Sequence, residues 1–282
     1  MRVLDSHLHL WDPAVVTYEW LDGPLRRRFA SSELVEELAG VQPTVERSFI
    51  VVEADPLPSQ SLLEVDSVTS LSEGLSIRGI VARAGVERGD AVDDELDALA
   101  HRRLVVGVRR LLQDEADGFA TTRQFCDGAR RVARAGLTFD ACVRWSQLGD
   151  VVALADAVPE LSIVLDHLGK PPMGMHEQPA EARVVAWLDD LRALAERPNT
   201  WCKLSGLPAE IRGEWRAEQL WPYLDAALHA FGPERLLFGG DWPVSPDYGR
   251  WFTTVTDWLA DRVSDRADAI LWSNAARVYQ VA

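Results

Sequence analysis

His7 and His9 lie two residues apart in Asp5-Ser6-His7-Leu8-His9-Leu10-Trp11, at the end of an apolar opening stretch of a 282-residue chain. Alternate side chains of a strand share a face, so this spacing aims both imidazoles the same way. Two buried imidazoles on one face need something between them: a metal ion, a carbonyl oxygen or a hydrogen-bond network. Further chemical groups stand where other apolar runs end. They are Glu53, then Arg109 and Arg110, then Asp140 with Arg144 just beyond. Asp166-His167-Leu168-Gly169-Lys170-Pro171-Pro172 follows, then Lys203 and Ser205, and finally Gly239-Gly240-Asp241-Trp242-Pro243.

The runs that would carry these groups are short, apolar and separated by longer amphipathic segments. Eight of them are legible, at 2–7, 47–53, 77–83, 104–109, 137–141, 161–166, 200–204 and 236–240. Ser48-Phe49-Ile50-Val51-Val52 and Leu161-Ser162-Ile163-Val164-Leu165 are nearly continuous in apolar residues, the pattern of strands covered on both faces of a parallel sheet. Between the runs, Trp187, Leu188, Leu191 and Leu194 recur at helical spacing, as do Leu220, Leu224, Leu228 and Phe231, and later Trp251, Val255, Trp258 and Leu259. Pro222 stands near the start of the second of these helices, and Gly232-Pro233 ends it.

Eight strand–helix units predict an α/β protein with a (β/α)8 TIM barrel, one domain over residues 1–282. An open doubly wound sheet is the alternative, but no GxGxxG follows any strand. Two segments exceed simple connectors: 12–29 after the first strand, and 170–179, rich in Pro, Gly and Met, after the sixth. Both are expected on the rim formed by the C-terminal strand ends, where barrel active sites lie and where either could act as a lid. The rim would also gather His7, His9, His167 and Asp241.

Charge and composition narrow the partners. Twenty-nine Lys and Arg against 44 Asp and Glu leave a net charge of −15, which repels phosphate backbones and argues against a nucleic-acid partner. Three widely spaced cysteines, Cys126, Cys142 and Cys202, form no CxxC, so a disulfide framework or zinc ribbon is not expected. Met1-Arg2-Val3-Leu4 enters the first strand directly, and no run reaches the roughly 20 apolar residues of a membrane helix. The expectation is a cytoplasmic protein with a small-molecule substrate and no membrane partner, with room for a homo-oligomer.

Taken in order, HxH at 7–9, Val52-Glu53-Ala54, Gly107-Val108-Arg109, DHxGKP at 166–171, GDWP at 240–243 and Asn274-Ala275-Ala276-Arg277-Val278-Tyr279 cover nearly the whole chain. This ordered set resembles the amidohydrolase superfamily and, within it, the amidohydrolase 2 group of lactonases and decarboxylases, most of all its sugar-acid lactonases of the L-fuconolactonase and L-rhamnonolactonase kind. The binuclear members carry a bridging lysine at the fourth strand and a histidine at the fifth. Arg109 and Asp140 stand there instead, which leaves His7, His9, His167 and Asp241 as ligands for one divalent ion, zinc first. The lactonase branch also includes members that work without metal, so both modes stay open.

The resemblance implies that water opens a cyclic ester. Asp241 would serve as general base, and His7, His9 and His167 would polarise the carbonyl directly or through a metal. Glu53, Arg109, Arg144 and Lys170 are candidate substrate contacts, with Trp11 and Trp242 as pocket walls. Each has a plainer reading. Glu53 and Arg109 could be an ion pair, Arg144 likewise, Lys170 a loop-orienting residue, and any of 11 tryptophans ordinary packing. Asp5 reads as a supporting partner, Arg26-Arg27-Arg28 as a solvated face, and His101, His176 and His229 as surface residues. With Arg109 and Arg144 as the clear cationic candidates, neutral polyol lactones fit better than pyrone or muconolactone acids. The competing functions are a metal-dependent non-oxidative decarboxylase, a lactonase of aromatic catabolism, and a catalytically inert binding barrel.

Overall fold

A computed structural model describes residues 1–42, 44–174, 180–245 and 247–281. Eight parallel strands pair in sequence order: β1 (Arg2–Leu8), β2 (Glu46–Val52), β3 (Ile77–Arg83), β4 (Val105–Arg109), β5 (Thr138–Ala141), β6 (Ile163–Leu165), β7 (Thr200–Leu204) and β8 (Leu236–Phe238). The first and last strands meet through Ser6 Oγ donating to the Phe238 carbonyl at 2.7 Å. Above it, Asp241 N–H donates to the His7 carbonyl at 2.6 Å and His9 N–H to that of Trp242 at 2.8 Å. The barrel expected from the strand–helix repeat is therefore present.

The helices are α1 (Ser31–Leu38), α2 (Ser61–Leu71), α3 (Asp93–Ala100), α4 (Arg123–Arg134), α5 (Leu148–Ala157), α6 (Glu181–Ala195), α7 (Ala217–Phe231), α8 (Tyr248–Arg262) and α9 (Asn274–Val278). Pro222 lies inside α7, and Gly232 ends that helix at φ 67°, a conformation that glycine adopts without a Cβ penalty. None of the described helices is long and apolar enough to cross a membrane. Strands β6 and β8 are shorter than the sequence indicates by more than one residue, β4 and β5 by one. Strand β8 stops at Phe238 because Gly239-Gly240 leads into a turn, and β6 stops at Leu165 because the chain turns at Asp166–Gly169, with His167 and Leu168 at positive φ.

Strand parity divides the core. Val3, Phe49, Val51, Ile80, Val108, Phe139, Leu165, Leu204 and Phe238 belong to one apolar cluster with the surrounding helices. Leu4, Ile50, Val52, Val81, Val164 and Leu237 alternate with them and fill the barrel interior. Trp272, Ala275, Val278 and Tyr279 from the C-terminal tail join that inner cluster. With Leu4 facing inward, an unbroken β1 would send His7 outward with Val3. Between Asp5 and Leu8, however, the register against β2 slips by one residue. This bulge reverses the parity, so Leu8 and Leu10 face the helices and His7 and His9 turn into the barrel mouth.

Candidate active site

Four side chains from three chain segments meet at that mouth. Asp241 Oδ1 stands 3.4 Å from His9 Nε2, 3.6 Å from His7 Nε2 and 3.8 Å from His167 Nε2. The two Nε2 atoms of His7 and His9 are 3.1 Å apart. Each remaining ring nitrogen is held. His9 Nδ1 meets the Val52 carbonyl at 2.8 Å, His167 Nδ1 the Ser205 hydroxyl at 2.9 Å, and His7 Nδ1 the Asp166 carboxylate at 3.1 Å. Asp241 Oδ2 accepts from Ser245 Oγ at 2.8 Å. Asp5, as expected of a supporting residue, accepts from the backbone N–H of His7 at 3.0 Å and of Gly240 at 2.9 Å.

The backbone is bent to make this arrangement. His167 (φ 54°), Leu168 (φ 54°), Lys170 (φ 48°) and Asp241 (φ 56°) all occupy the left-handed region, which non-glycine residues enter only when surrounding contacts hold them there. Gly206 supports His167 from the other side.

Burial acts on each titrating group. It pushes the His7 imidazole well below its ordinary range against the pull of Asp166, with Lys203 adding to the downward push. It likewise moves His167 down to about 4, against Asp241 and Asp166. For Asp241, burial works toward a higher value, but the neighbouring imidazoles, His167 first and then His9 and His7, outweigh it and hold the carboxyl below the usual carboxylate range. The site at neutral pH therefore presents neutral His7 and His167 beside an ionised carboxylate.

That is the donor set a divalent cation requires, because imidazole ligates only when neutral. Single ligand atoms of His7, His9 and Asp241 all lie within 4.8 Å of one another, as do those of His7, Asp166 and His167. The residues present fit a metal ion.

Below the imidazoles, the inward positions of β4 to β7 carry charge. Arg109 donates through Nε to Glu53 Oε1 at 2.5 Å and through Nη1 to Asp166 Oδ2 at 3.2 Å. Lys203 donates to Asp166 Oδ1 at 2.9 Å and also to Asp140, which accepts from the Tyr279 hydroxyl at 2.8 Å. Burial drives the Asp140 carboxyl up to about 6 despite Lys203. For Asp166 burial is overcome, chiefly by Lys203 and His7, and the carboxyl is held well down.

Above lies a cavity of about 190 Å³, below the roughly 300–1,000 Å³ of sites for drug-sized ligands and suited to a single small ring. His9, His167 and Asp241 form its floor, Arg109, Gln113, Lys170 and Glu210 contribute polar atoms, and Trp20, Ala54, Leu111 and Val244 are apolar. Lys170 Nζ donates to Gln113 Oε1 at 2.5 Å and stands 3.8 Å from Glu210 Oε1.

Several expected contacts lie elsewhere. Trp11 is fully buried with its indole N–H on the Leu25 and Arg27 carbonyls, at 3.3 and 2.9 Å, and it braces Trp20. Trp20, from the 12–29 segment, is the tryptophan in the cavity wall, held by its indole N–H on the Ala54 carbonyl at 2.6 Å. Trp242 is buried edge-on against Phe29 rather than in the wall. Arg144 turns to the Gln113 carbonyl at 3.0 Å and Asp114 at 2.8 Å, outside the cavity lining. Glu53 is spent on Arg109 beneath the cavity. Aromatic and basic residues near a motif in sequence point wherever local packing sends them, which adjacency alone does not reveal.

Arg26, Arg27 and Arg28 are exposed, as are His101 and His229, each bonded to a carbonyl of its own helix. His176 and much of the 170–179 segment lie outside the described residues. Asp166, Lys203 and Ser205 stand at strand ends in the sequence without an assigned role, and Gln113, Glu210 and Tyr279 are not among the expected site residues. A lysine within the apolar run Thr200–Leu204 was the available signal, since a strand buried on both faces cannot hold a charge without a partner.

An eight-stranded parallel barrel with imidazoles and a carboxylate at its C-terminal mouth defines a hydrolase-like α/β barrel site. The amidohydrolase family model matches residues 4–281, and the chain belongs to that family. An L-fucono-1,5-lactonase of Burkholderia ambifaria is 32% identical over 293 residues, covering 99% of this chain and 95% of the relative. An L-rhamnono-gamma-lactonase of Scheffersomyces stipitis is 24% identical, with 99% of each chain covered. An amidohydrolase from Burkholderia multivorans, crystallised with bound zinc, superposes with a TM-score of 0.86 at 29% identity over 100% of both chains.

Proposed function

We propose that this protein hydrolyses a sugar-acid (aldono) lactone. The observation that carries the reading is the Asp241 carboxylate at the floor of a small cavity, held 3.4–3.8 Å from three imidazoles. The sugar-lactonase relatives support the substrate class. Arg109 is already neutralised by Glu53 and Asp166, and Lys170 is engaged by Gln113 and Glu210. That balance favours a polyol ring without a carboxylate of its own. Gln113, Lys170 and Glu210 would bond its hydroxyls, and Trp20 would cover its C–H face.

In the reaction, Asp241 removes a proton from water as the water oxygen bonds to the lactone carbonyl carbon. The bond from that carbon to the ring oxygen then breaks, and the proton passes to the departing oxygen, leaving an open-chain acid. His167, oriented by Ser205, faces the carbonyl oxygen as charge builds on it, while His7 and His9 would act on it through a bound ion. A divalent ion, zinc first, would be held by His7, His9 and Asp241 with His167 beside them, and would supply Lewis-acid polarisation of the carbonyl. We read residues 1–282 as one such domain, working on a small molecule in the cytoplasm.

The test is a pH-indicator assay over a panel of aldonolactones, with and without chelator, on wild type and Asp241→Asn. General-base assistance contributes about 10²–10⁴-fold, so the folded variant should lose at least about a hundredfold in kcat. Equal turnover by both proteins removes Asp241 from the mechanism. A panel without turnover removes the substrate class.

A further inference from the structure

His7 Nδ1 faces two neighbours with opposite requirements. Asp166 Oδ1, at 3.1 Å, can only accept a hydrogen from it. Lys203 Nζ, also at 3.1 Å, can only donate one to it. Lys203 is fully buried, and its three hydrogens match three acceptors: Asp140, Asp166 and His7 Nδ1. The Tyr279 hydroxyl, brought in by the C-terminal tail, secures Asp140 from below at 2.8 Å.

The other ring nitrogen makes the choice consequential. His9 Nδ1 meets a backbone carbonyl at 2.8 Å, which can only accept, so a neutral His9 carries its proton there and offers a lone pair at Nε2. The 3.1 Å contact between the two Nε2 atoms is then a hydrogen bond only if His7 carries its proton on Nε2. In that tautomer Nδ1 is bare, and Lys203 satisfies it. In the opposite tautomer Nδ1–H donates to Asp166. Two lone pairs and the Asp241 carboxylate then converge within 3.1–3.6 Å, an arrangement that a bound cation stabilises.

We infer that His7 is a tautomeric switch set by Lys203 and Asp166. Its proton sits on Nε2 in the metal-free protein, with Lys203 on Nδ1, and on Nδ1 when a divalent ion takes both Nε2 lone pairs, with Asp166 as acceptor. The proton changes nitrogen and none is released by His7. Lys203 is thus a positioning residue that keeps the metal-free pocket self-satisfied and opposes metal binding. This rests on the metal-binding part of the reading above and is independent of the substrate.

The experiment is nitrogen NMR of ¹⁵N-histidine-labelled protein, metal-free and at saturating zinc, with no lactone present. The expected result is His7 protonated on Nε2 without zinc and on Nδ1 with it. In metal-free Lys203→Met, the proton should already sit on Nδ1, and zinc should bind at least about tenfold more tightly. Removing a positive charge would tighten zinc by itself, but it would not move the proton, so the tautomer decides. A proton on Nδ1 in the metal-free wild type, or one unmoved at saturating zinc, overturns the inference. Should Lys203→Met fail to fold, the wild-type spectra still decide. The lactone assay fails or succeeds separately.

Discussion

Gly206 lies so close to His167 that a Cβ on it would fall 2.3 Å from the ring Nδ1. The same residue adopts φ 69°, so both its conformation and its lack of a side chain are used. It lets the turn after β7 close over the imidazole while Ser205 bonds it. The position of a ring that faces Asp241 is thereby set by an atom that is not there.

Gly206→Ala should therefore displace His167 and weaken its bond to Ser205. Overpacking of this kind costs about 1–3 kcal/mol, so the melting temperature should fall while the barrel persists. We expect kcat to drop by about tenfold or more, with a smaller change in KM. Paired steady-state kinetics and thermal melts check this, and an unchanged kcat would separate the His167 ring position from turnover.

Arg144 offers the converse test. Its guanidinium bonds Asp114 and a backbone carbonyl rather than the cavity. Arg144→Ala should leave KM and kcat within about twofold. A part-exposed ion pair of this kind is worth about 0–1 kcal/mol, so the melt should shift little. A large rise in KM would return Arg144 to the substrate.

Glu64 predicts a pH dependence of stability. Its Oε1 accepts from Ala54 N–H at 2.8 Å, but Oε2 has no hydrogen-bond partner among the described residues. Burial, with the Glu53 charge adding to it, pushes the carboxyl well above its ordinary value, against Ala54 and Tyr18. The folded state thus holds this proton more tightly than the unfolded chain. The resulting penalty is absent below the unfolded pKa of about 4.3. It grows as pH rises above that value toward the raised folded pKa. Glu64→Gln should consequently raise the melting temperature at pH 8 and leave it nearly unchanged at pH 4. Denaturation at the two pH values decides, and equal effects at both would rule out the buried proton.

Zinc should act on stability as a ligand of the native state. At a free concentration about a hundred times its dissociation constant, a native-state ligand adds about 2.7 kcal/mol. Melting of chelator-stripped protein should rise with added zinc and fall again with chelator. His9→Ala should abolish most of that response, because it removes one of the facing Nε2 atoms. A response that survives the substitution would place the ion elsewhere.

The eight-stranded order and the meeting of His7, His9, His167 and Asp241 were legible in the chain. Short apolar runs alternating with 3.6-residue patterns leave few ways to bury both kinds of element, and a barrel brings every strand end to one rim. His7 and His9 point together because period two is a local property, preserved on the far side of the β1 bulge. The bulge itself, which turns them inward, depends on pairing with β2 and has no signature in seven residues. Likewise, tertiary packing decided that Trp20 rather than Trp11 or Trp242 meets the cavity, since loop 12–29 folds back on the β2 end. It also decided that Tyr279, near the end of the chain, reaches Asp140 beneath the site. Side-chain period is written residue by residue, whereas the partner of a buried charge is chosen by whichever distant segment fills the space beside it.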